Sequence, residues 1–117
     1  MAISESTESL VNVLRDTIVA LVRQDSPDLS ARQFGVFLTC YLEGDSQTVR
    51  GLAAALDVSK PVISRALDRL ADFELVRRKA DPADRRSVLV QKTPAGTAYL
   101  KDIRSILRDA SNGKTRR

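Results

Sequence analysis

Residues 48–92 read TVRGLAAALDVSKPVISRALDRLADFELVRRKADPADRRSVLVQK, and this stretch decides the fold. It begins with two short helical patterns separated by a tight turn. Thr48 and Ser59 are favourable N-cap residues for the two helices, and Pro61 is tolerated where first-turn amides have no intrahelical partner. Two helices joined in this way predict a helix-turn-helix. The apolar positions recur at helical spacing and are expected to be buried: Leu52, Ala53 and Leu56 in the first helix, and Ile63, Ala66, Leu67 and Leu70 in the second.

The second half of the stretch changes to the pattern of strands. LVRRKA at 75–80 and SVLVQKT at 87–93 are short runs with β-branched residues, and DPADRR at 81–86 carries the Asp-Pro signal of a turn. A basic two-stranded hairpin directly after a helix-turn-helix is typical of its winged form. The sequence therefore predicts a mainly α fold with a small β-hairpin (α+β), a winged helix-turn-helix.

Amphipathic helices are predicted on both sides of this stretch. The first starts near residues 4–7 and ends before Pro27, since proline disfavours a helical residue before it. SARQ at 30–33 is a capping box that starts a second helix, and Gly44 is expected to end it. The Thr-Pro pair at 93–94 starts the last helix. The apolar faces are Leu10, Val13, Leu14, Thr17, Ile18 and Leu21 in the first helix, Phe34, Phe37, Leu38 and Tyr41 in the second, and Ala98 or Tyr99, Ile103, Ile106 and Leu107 in the last.

The composition limits the class of protein. At 117 residues the chain fits one domain, and we assign residues 1–110 to a single winged helix-turn-helix domain with N- and C-terminal dimerisation helices, followed by a disordered tail over 111–117. Its N-terminus lacks the features of a secretory signal, and Cys40 is its one cysteine, so a cytoplasmic location and a buried, inert thiol are expected. The absence of histidine removes Ser-His and Cys-His catalysis and the usual zinc ligand, so we expect neither an enzyme nor a metal or organic cofactor.

Positive charge is concentrated in the middle and at the end of the chain. Residues 1–58 hold 4 basic and 8 acidic side chains, a net of −4, whereas residues 59–92 hold 9 and 5, a net of +4, and residues 93–117 hold 6 and 2, again +4. A basic segment beside an acidic one suggests that one face meets a polyanion. An arginine-rich solvated surface is the alternative that charge alone leaves open.

The outward face of the second helix of the motif carries groups that suit a DNA major groove. Its hydroxyl, methyl and guanidinium groups are those that contact base edges and phosphates. Arg65 has the reach to bind a guanine, Ser59 is also a helix cap, and Asp68 either contacts DNA or orients Arg65 or Arg69 through a helical pair. Arg69 is alternatively a surface ion-pair partner. The candidate DNA-binding residues of this helix are Ser59, Lys60, Pro61, Ser64, Arg65, Asp68 and Arg69.

The motifs between residues 52 and 96 resemble the core of the MarR family. LAAALDVSKPVISRALDRL is similar to its helix-turn-helix, DPADRRSV to its wing and KTPAG to the start of its next helix, and the resemblance covers about residues 30–100. It implies that Arg86 enters a minor groove and that Asp84 steadies it, and we expect Arg85 to contact phosphate. A guanidinium independently suits the negative potential of a narrow minor groove, and a nearby carboxylate would keep it extended. The alternative is that Asp84 and Arg86 only stabilise the hairpin tip and do not contact DNA.

Two features depart from the family pattern. Glu74 stands where the family has glycine, so an altered left-handed turn is expected before the wing. The family's helices after the wing are longer than residues 93–110 here, so the dimer is expected to be smaller, differently built or supported by the first helix. Val11 and Val22 widen the apolar face of that helix, which favours burial against a second subunit. The candidate dimerisation residues are Leu10, Val11, Val13, Leu14, Ile18, Leu21, Ile103, Ile106 and Leu107.

These features predict a transcriptional regulator that binds double-stranded DNA. The expected form is a repressor that binds a pseudo-palindromic operator as a homodimer. The resemblance also implies a small-molecule effector such as an aromatic acid, although no residue marks a pocket for one. The alternative function is a winged-helix module that binds proteins and not DNA, which would be expected to expose apolar anchors in place of arginines.

Overall fold

The computed structural model describes residues 3–113. In this part of the chain, five helices accompany a three-stranded antiparallel sheet, so the predicted winged helix-turn-helix, mainly α with a β-hairpin, is confirmed. The elements in chain order are α1 (Ile3–Arg23), α2 (Ala31–Leu42), β1 (Gln47–Thr48), α3 (Val49–Leu56), α4 (Lys60–Asp72), β2 (Val76–Asp81), β3 (Asp84–Lys92) and α5 (Pro94–Ser111).

The described residues fall into two compact units. One is Leu29–Tyr99, which contains the helix-turn-helix and the hairpin, and the other combines residues 3–28 with residues 100–113. None of the described helices has the length and apolarity needed to cross a bilayer.

The core of Leu29–Tyr99 is built from α2, α3, α4 and the hairpin. All four predicted core positions of α4 are buried, as are two of the three in α3, with Leu56 half-buried. The prediction for α2 is only partly correct, because Phe34 and Leu38 are half-buried while Val36 and Cys40 are buried. Since α2 contacts α3, α4 and β3, it buries a wider surface than a single stripe. The largest fully buried side chains are Phe37, Leu52, Ile63, Leu67, Leu70, Val36 and Val76.

The helix ends differ from expectation at Gly44. Helix α2 ends at Leu42 with Glu43 in an extended conformation (φ −78°, ψ 146°), so Gly44 does not terminate it. The predicted N-caps are confirmed: the hydroxyls of Ser30, Thr48 and Ser59 accept hydrogen bonds from backbone amides of the helices they precede, and Ser30 forms the complete capping box.

Two non-glycine residues take the left-handed conformation at helix ends. Asp57 (φ 54°) ends α3, and Glu74 (φ 61°) follows α4. The Glu74 amide donates to Ala71 O at 2.8 Å, and the Leu75 amide donates to Leu70 O at 2.9 Å. This pair of bonds defines a Schellman motif. The expectation of an altered turn at Glu74 was therefore wrong, because these bonds hold the left-handed turn without glycine.

The sheet has the order β1-β3-β2. Strand β1 pairs Gln47 with Val90 and Thr48 with Leu89, and two residues are too few to give a strand signal in sequence. The hairpin turn is shorter than predicted: β3 already begins at Asp84, and Pro82 and Ala83 form the turn.

In the other unit, α1 and the second half of α5 carry the amphipathic pattern. Gln24 Nε2 donates to Asp102 Oδ2 at 2.7 Å, and Thr17 Oγ1 donates to Val13 O at 2.7 Å. Helix α5 ends at Ser111, inside the tail predicted for residues 111–117, and residues 114–117 of that tail lie outside the described residues.

Candidate nucleic-acid interface

Helix α4 presents its polar residues to solvent because its apolar residues are buried on the opposite side. Lys60, Pro61, Arg65, Asp68 and Arg69 are exposed, while Ser64 is half-buried at the edge of the buried face. This arrangement leaves a row of exposed side chains, spaced three to four residues apart, along one side of the helix.

Ser59 is engaged as the N-cap of α4. Its Oγ accepts a hydrogen bond from the Val62 amide at 3.4 Å, and Pro61 occupies the first turn, where its missing amide leaves no bond unmade. The exposed Ser59 hydroxyl can still donate its own proton outward while it accepts from Val62.

Arg65 lines a cleft together with a residue that sequence reasoning missed. The cleft lies between α4 and the start of α2 and brings Arg65 and Arg32 to the same depression. Arg32 lies in the capping box of α2, which the sequence singled out only as a helix start. Its placement beside Arg65 depends on tertiary packing, so no sequence signal could have found it. The lining residues are Ser30, Arg32, Gln33, Val62, Arg65 and Ala66.

Asp68 pairs with a residue that differs from both predicted partners. Its Oδ1 lies 2.5 Å from a guanidinium nitrogen of Arg78 in β2, so its ion pair does not go to Arg65 or Arg69. Arg69 instead places its guanidinium 4.5 Å from the centre of the Phe73 ring, in a cation–π contact. The helical pairing expected for these residues is thus replaced by a contact to the hairpin and a contact to an aromatic ring.

The tip of the hairpin contains a bulge that carries both wing arginines. Ala80 pairs with Val88 and the next residue, Asp81, pairs with Asp84, so residues 85–87 have no partners in β2. Bulges redirect the side chains of a strand. Arg85 and Arg86 are exposed in this segment, which lies in strand β3 and not in the predicted six-residue turn.

Two carboxylates hold the backbone of the hairpin tip. Asp81 Oδ1 accepts from the Ala83 amide at 2.9 Å, and Asp84 Oδ1 accepts from the Arg86 amide at 3.0 Å. Asp84 thus contacts the backbone of Arg86 and not its guanidinium, and the Arg86 side chain is exposed.

A buried hydroxyl network fixes the base of the hairpin. Tyr41 Oη donates to Leu75 O at 2.6 Å and accepts from the Thr93 amide at 3.0 Å, and Thr93 Oγ1 donates to Glu74 O at 2.6 Å. A Cβ added at Gly96 would lie 1.7 Å from Tyr41 Oη, so glycine is required there for the close approach. Sequence reasoning placed Tyr41 in the core but did not predict this role.

Cys40 is buried, and its surroundings keep it protonated. Burial raises the pKa of the thiol to about 11, while the positive charge of Lys92 opposes part of this rise. Only a thiolate is an effective nucleophile or soft metal ligand. Among residues 3–113 no three or more Cys, Asp or Glu side chains cluster in a way that could hold a metal ion.

The predicted dimerisation residues divide into exposed and buried groups. Among the side chains of α1 that the structure describes, five apolar ones are exposed: Leu10 at 65%, Leu14 at 60%, Ile18 at 47%, Val11 and Val22. Val13 and Leu21 are half-buried. In α5, Ile103 and Ile106 are buried within the chain and expose little surface, whereas Leu107 is exposed.

Known proteins share the sequence pattern of this chain. A model of the MarR family matches residues 28–87, more than half of the chain. The HTH-type transcriptional regulator MhqR of Bacillus subtilis is 33% identical over 75 residues, which make up 64% of this chain and 51% of MhqR. The chain therefore spans about half the length of this curated relative.

Solved structures share the fold. A mutant of S. aureus MepR bound to an oligodeoxyribonucleotide superposes with a TM-score of 0.77 at 20% identity, covering 97% of this chain and 81% of that one. A mutant of E. coli MarR gives a TM-score of 0.71 at 23% identity, covering 98% of this chain and 82% of that one. With the family model matched across the helix-turn-helix and the wing tip, and the fold shared along the chain, the protein belongs to the MarR family.

Proposed function

We propose that the protein is a transcriptional repressor that binds a specific sequence in double-stranded DNA. The observation that carries the proposal is the bulge at residues 85–87, which exposes Arg85 and Arg86 in the same unit as the polar face of α4. A cationic hairpin tip next to a helix-turn-helix suits simultaneous contact with a minor and a major groove. The MepR structure that shares this fold is a DNA complex, which supports the proposal by analogy.

In the proposed complex, α4 enters the major groove. Arg65 is exposed and has a guanidinium that can bind two acceptors of a guanine edge. Lys60, Ser59 and Ser64 are at or near the start of the helix and contact backbone phosphates, which fixes its register. Pro61 and Arg69 complete the surface that faces the groove.

The hairpin contributes the minor-groove contact. Arg86 extends into the narrow groove, where the potential is most negative, and Arg85 binds a flanking phosphate. Asp84 supports this arrangement by holding the Arg86 amide, so that the bulge presents its arginines in one conformation. In this proposal Asp84 and Arg86 do more than stabilise the hairpin tip, because the guanidinium groups of both wing arginines are left available to DNA.

We further propose that the protein acts as a homodimer through α1. Leu10, Val11, Leu14, Ile18 and Val22 are exposed, and a contiguous apolar surface of this kind favours association. A two-fold dimer places two recognition helices about 34 Å apart, one turn of the duplex, and so reads a pseudo-palindrome. A repressor bound in this way excludes polymerase from an overlapping promoter.

Binding rather than catalysis is the proposed activity, because the chain has no histidine, and α4 and the hairpin tip expose lysine and arginine side chains. The test is in vitro selection of duplexes from a randomised library, followed by a gel shift at two salt concentrations. We expect one enriched, roughly palindromic sequence. We also expect weaker binding at higher salt, because the free-energy gain from releasing counterions becomes smaller. Recovery of no enriched duplex would instead favour the protein-binding module.

A further inference from the structure

The Asp68–Arg78 ion pair joins the recognition helix to the wing. Asp68 lies on the exposed side of α4, and Arg78 lies in β2, two residues after the buried Val76. Because alternate residues of a strand face the same side, Val76 and Arg78 both face α4. Among the described side chains, no other ion pair connects the hairpin to a helix.

Beyond Arg78 the hairpin has no fully buried side chain, and its last restraint is Leu89 of β3, opposite Lys79, which is half-buried and pairs with Thr48 of β1. From Lys79 to Arg86 all residues are exposed except Asp81, which is half-buried, whereas Val76 is buried and the base is fixed by the Tyr41 network. Six residues from Val76 to the tip span about 20 Å, so a tilt of about 10° at the base would move the tip by about 3 Å. Such a shift is as large as a hydrogen-bond length.

We infer that Asp68 and Arg78 form a positioning pair that fixes the wing relative to the recognition helix, so that minor-groove and major-groove contacts fall in one register. This inference rests on the proposed DNA-binding function. Both side chains are partly exposed, at 59% and 37%, and exposed ion pairs contribute little to the free energy of unfolding. The effect of the pair is therefore expected in sequence discrimination and not in stability.

A purely electrostatic role and a positioning role predict opposite effects of replacing Asp68. Asp68→Asn removes a negative charge from a surface that faces DNA, so electrostatics alone would strengthen binding to every duplex. A positioning role predicts that Asp68→Asn binds its specific duplex more weakly, because an unpaired Arg78 no longer holds the wing. Asp72→Asn is the matched control, since it makes the same charge change in the same helix at an exposed carboxylate that forms no ion pair with another described residue.

The experiment is a double-mutant cycle with Asp68→Asn, Arg78→Gln and the combined variant. Affinity is measured for a duplex selected by the wild-type protein and for a scrambled duplex of the same length. We expect each single variant to weaken the selected duplex by about threefold to tenfold, and the combined variant to be no worse than Arg78→Gln alone. On the scrambled duplex, Asp68→Asn and Asp72→Asn bind as well as wild type or more tightly.

Two further readouts separate positioning from other roles. In Asp68→Asn, hydroxyl-radical footprints should lose minor-groove protection, while methylation of guanine N7 by dimethyl sulfate should still show protection in the major groove. Urea unfolding should be unchanged. Tighter binding of Asp68→Asn to both duplexes would overturn the inference. Additive losses would also overturn it, because they indicate that Asp68 contacts DNA by itself. Failure of the wild type to select any duplex would overturn the proposed function, and this inference with it.

Discussion

Asp84 Oδ1 accepts a hydrogen bond from the Arg86 amide at 3.0 Å, so the carboxylate shapes the backbone that carries the arginine. The bond joins Asp84, which pairs with Asp81 of β2, to the segment 85–87 of β3, which has no partners in β2. The aspartate thus replaces a missing strand partner. Its effect on Arg86 comes through the conformation of the bulge and not through a charge pair with the guanidinium.

The first prediction follows from this geometry. Asp84→Ala removes the acceptor and should weaken binding to the selected duplex by about threefold to tenfold, while Asp84→Asn keeps a side-chain oxygen and should stay within about twofold of wild type. Fluorescence anisotropy titrations measure both. The two variants make the same charge change, so equal losses would show that the negative charge matters and the hydrogen bond does not.

The loss of affinity in Arg86→Ala is the reference for the losses measured in the two Asp84 variants. It removes the proposed minor-groove contact and should lose at least as much affinity as Asp84→Ala, with an unchanged circular dichroism spectrum. Unchanged affinity would mean that the hairpin tip does not contact DNA.

The second prediction concerns Arg65. Because a contact to a base edge discriminates between sequences, Arg65→Ala should cost about 1–3 kcal/mol on the selected duplex and less on a scrambled one. Arg104→Ala, which removes an exposed arginine from α5, is the matched control and should change both affinities slightly and equally. If Arg65→Ala also reduces both equally, Arg65 is a phosphate contact.

The third prediction concerns assembly. Sedimentation of the protein at micromolar concentration should give twice the 12.9 kDa mass of one chain, since α1 exposes apolar side chains from Leu10 to Val22. Leu14→Glu places a charge in that surface and should yield monomers, whereas Thr7→Glu, at an exposed polar position of the same helix, should not. A wild-type protein that stays monomeric at high concentration would refute the homodimer.

The fourth prediction concerns the left-handed residue before the wing. A side chain at φ 61° crowds its own backbone, so Glu74→Gly should raise the free energy of unfolding by about 1 kcal/mol. The hydrogen bond from Thr93 to Glu74 O is retained because it uses the backbone. Glu43→Gly is the control: its φ of −78° suits any residue, so glycine there should give no gain. If urea unfolding gave the same change in the free energy of unfolding for Glu74→Gly and Glu43→Gly, the left-handed conformation of Glu74 would not explain the gain.

The fifth prediction concerns Cys40. With burial raising the pKa of its thiol to about 11, the thiolate is scarce at neutral pH and becomes abundant only as the pH approaches that value. Alkylation of the native protein by iodoacetamide should therefore be slow at pH 8 and accelerate at higher pH, while the urea-unfolded chain reacts rapidly at pH 8. Rapid alkylation of the native protein at pH 8 would indicate an accessible thiol.

Local patterns in the sequence were sufficient for the helix-turn-helix. The four apolar positions of α4 recur at helical spacing, and all four are buried, because a helix in a small domain buries one stripe. The N-caps were equally predictable, since capping involves residues three positions apart in the chain.

Features that depend on distant residues were not predictable in the same way. Arg78, the partner of Asp68, lies ten residues away in a different element, and the Tyr41 network joins residues up to 52 positions apart. At Glu74 the residue type argued against the conformation, yet the two Schellman hydrogen bonds and the bond from Thr93 maintain it. In each case tertiary structure selects a partner that local patterns do not specify.

The central claim is that α4 and the wing together recognise a DNA sequence. The most direct measurement is the ratio of dissociation constants for the selected duplex and a scrambled duplex of equal length and composition, both at 150 mM salt, a value of about physiological ionic strength. We predict a ratio of about 1,000 or more in favour of the selected duplex. Equal affinity for the two duplexes would contradict the account, because it would reduce the basic surface to a non-specific polyanion contact.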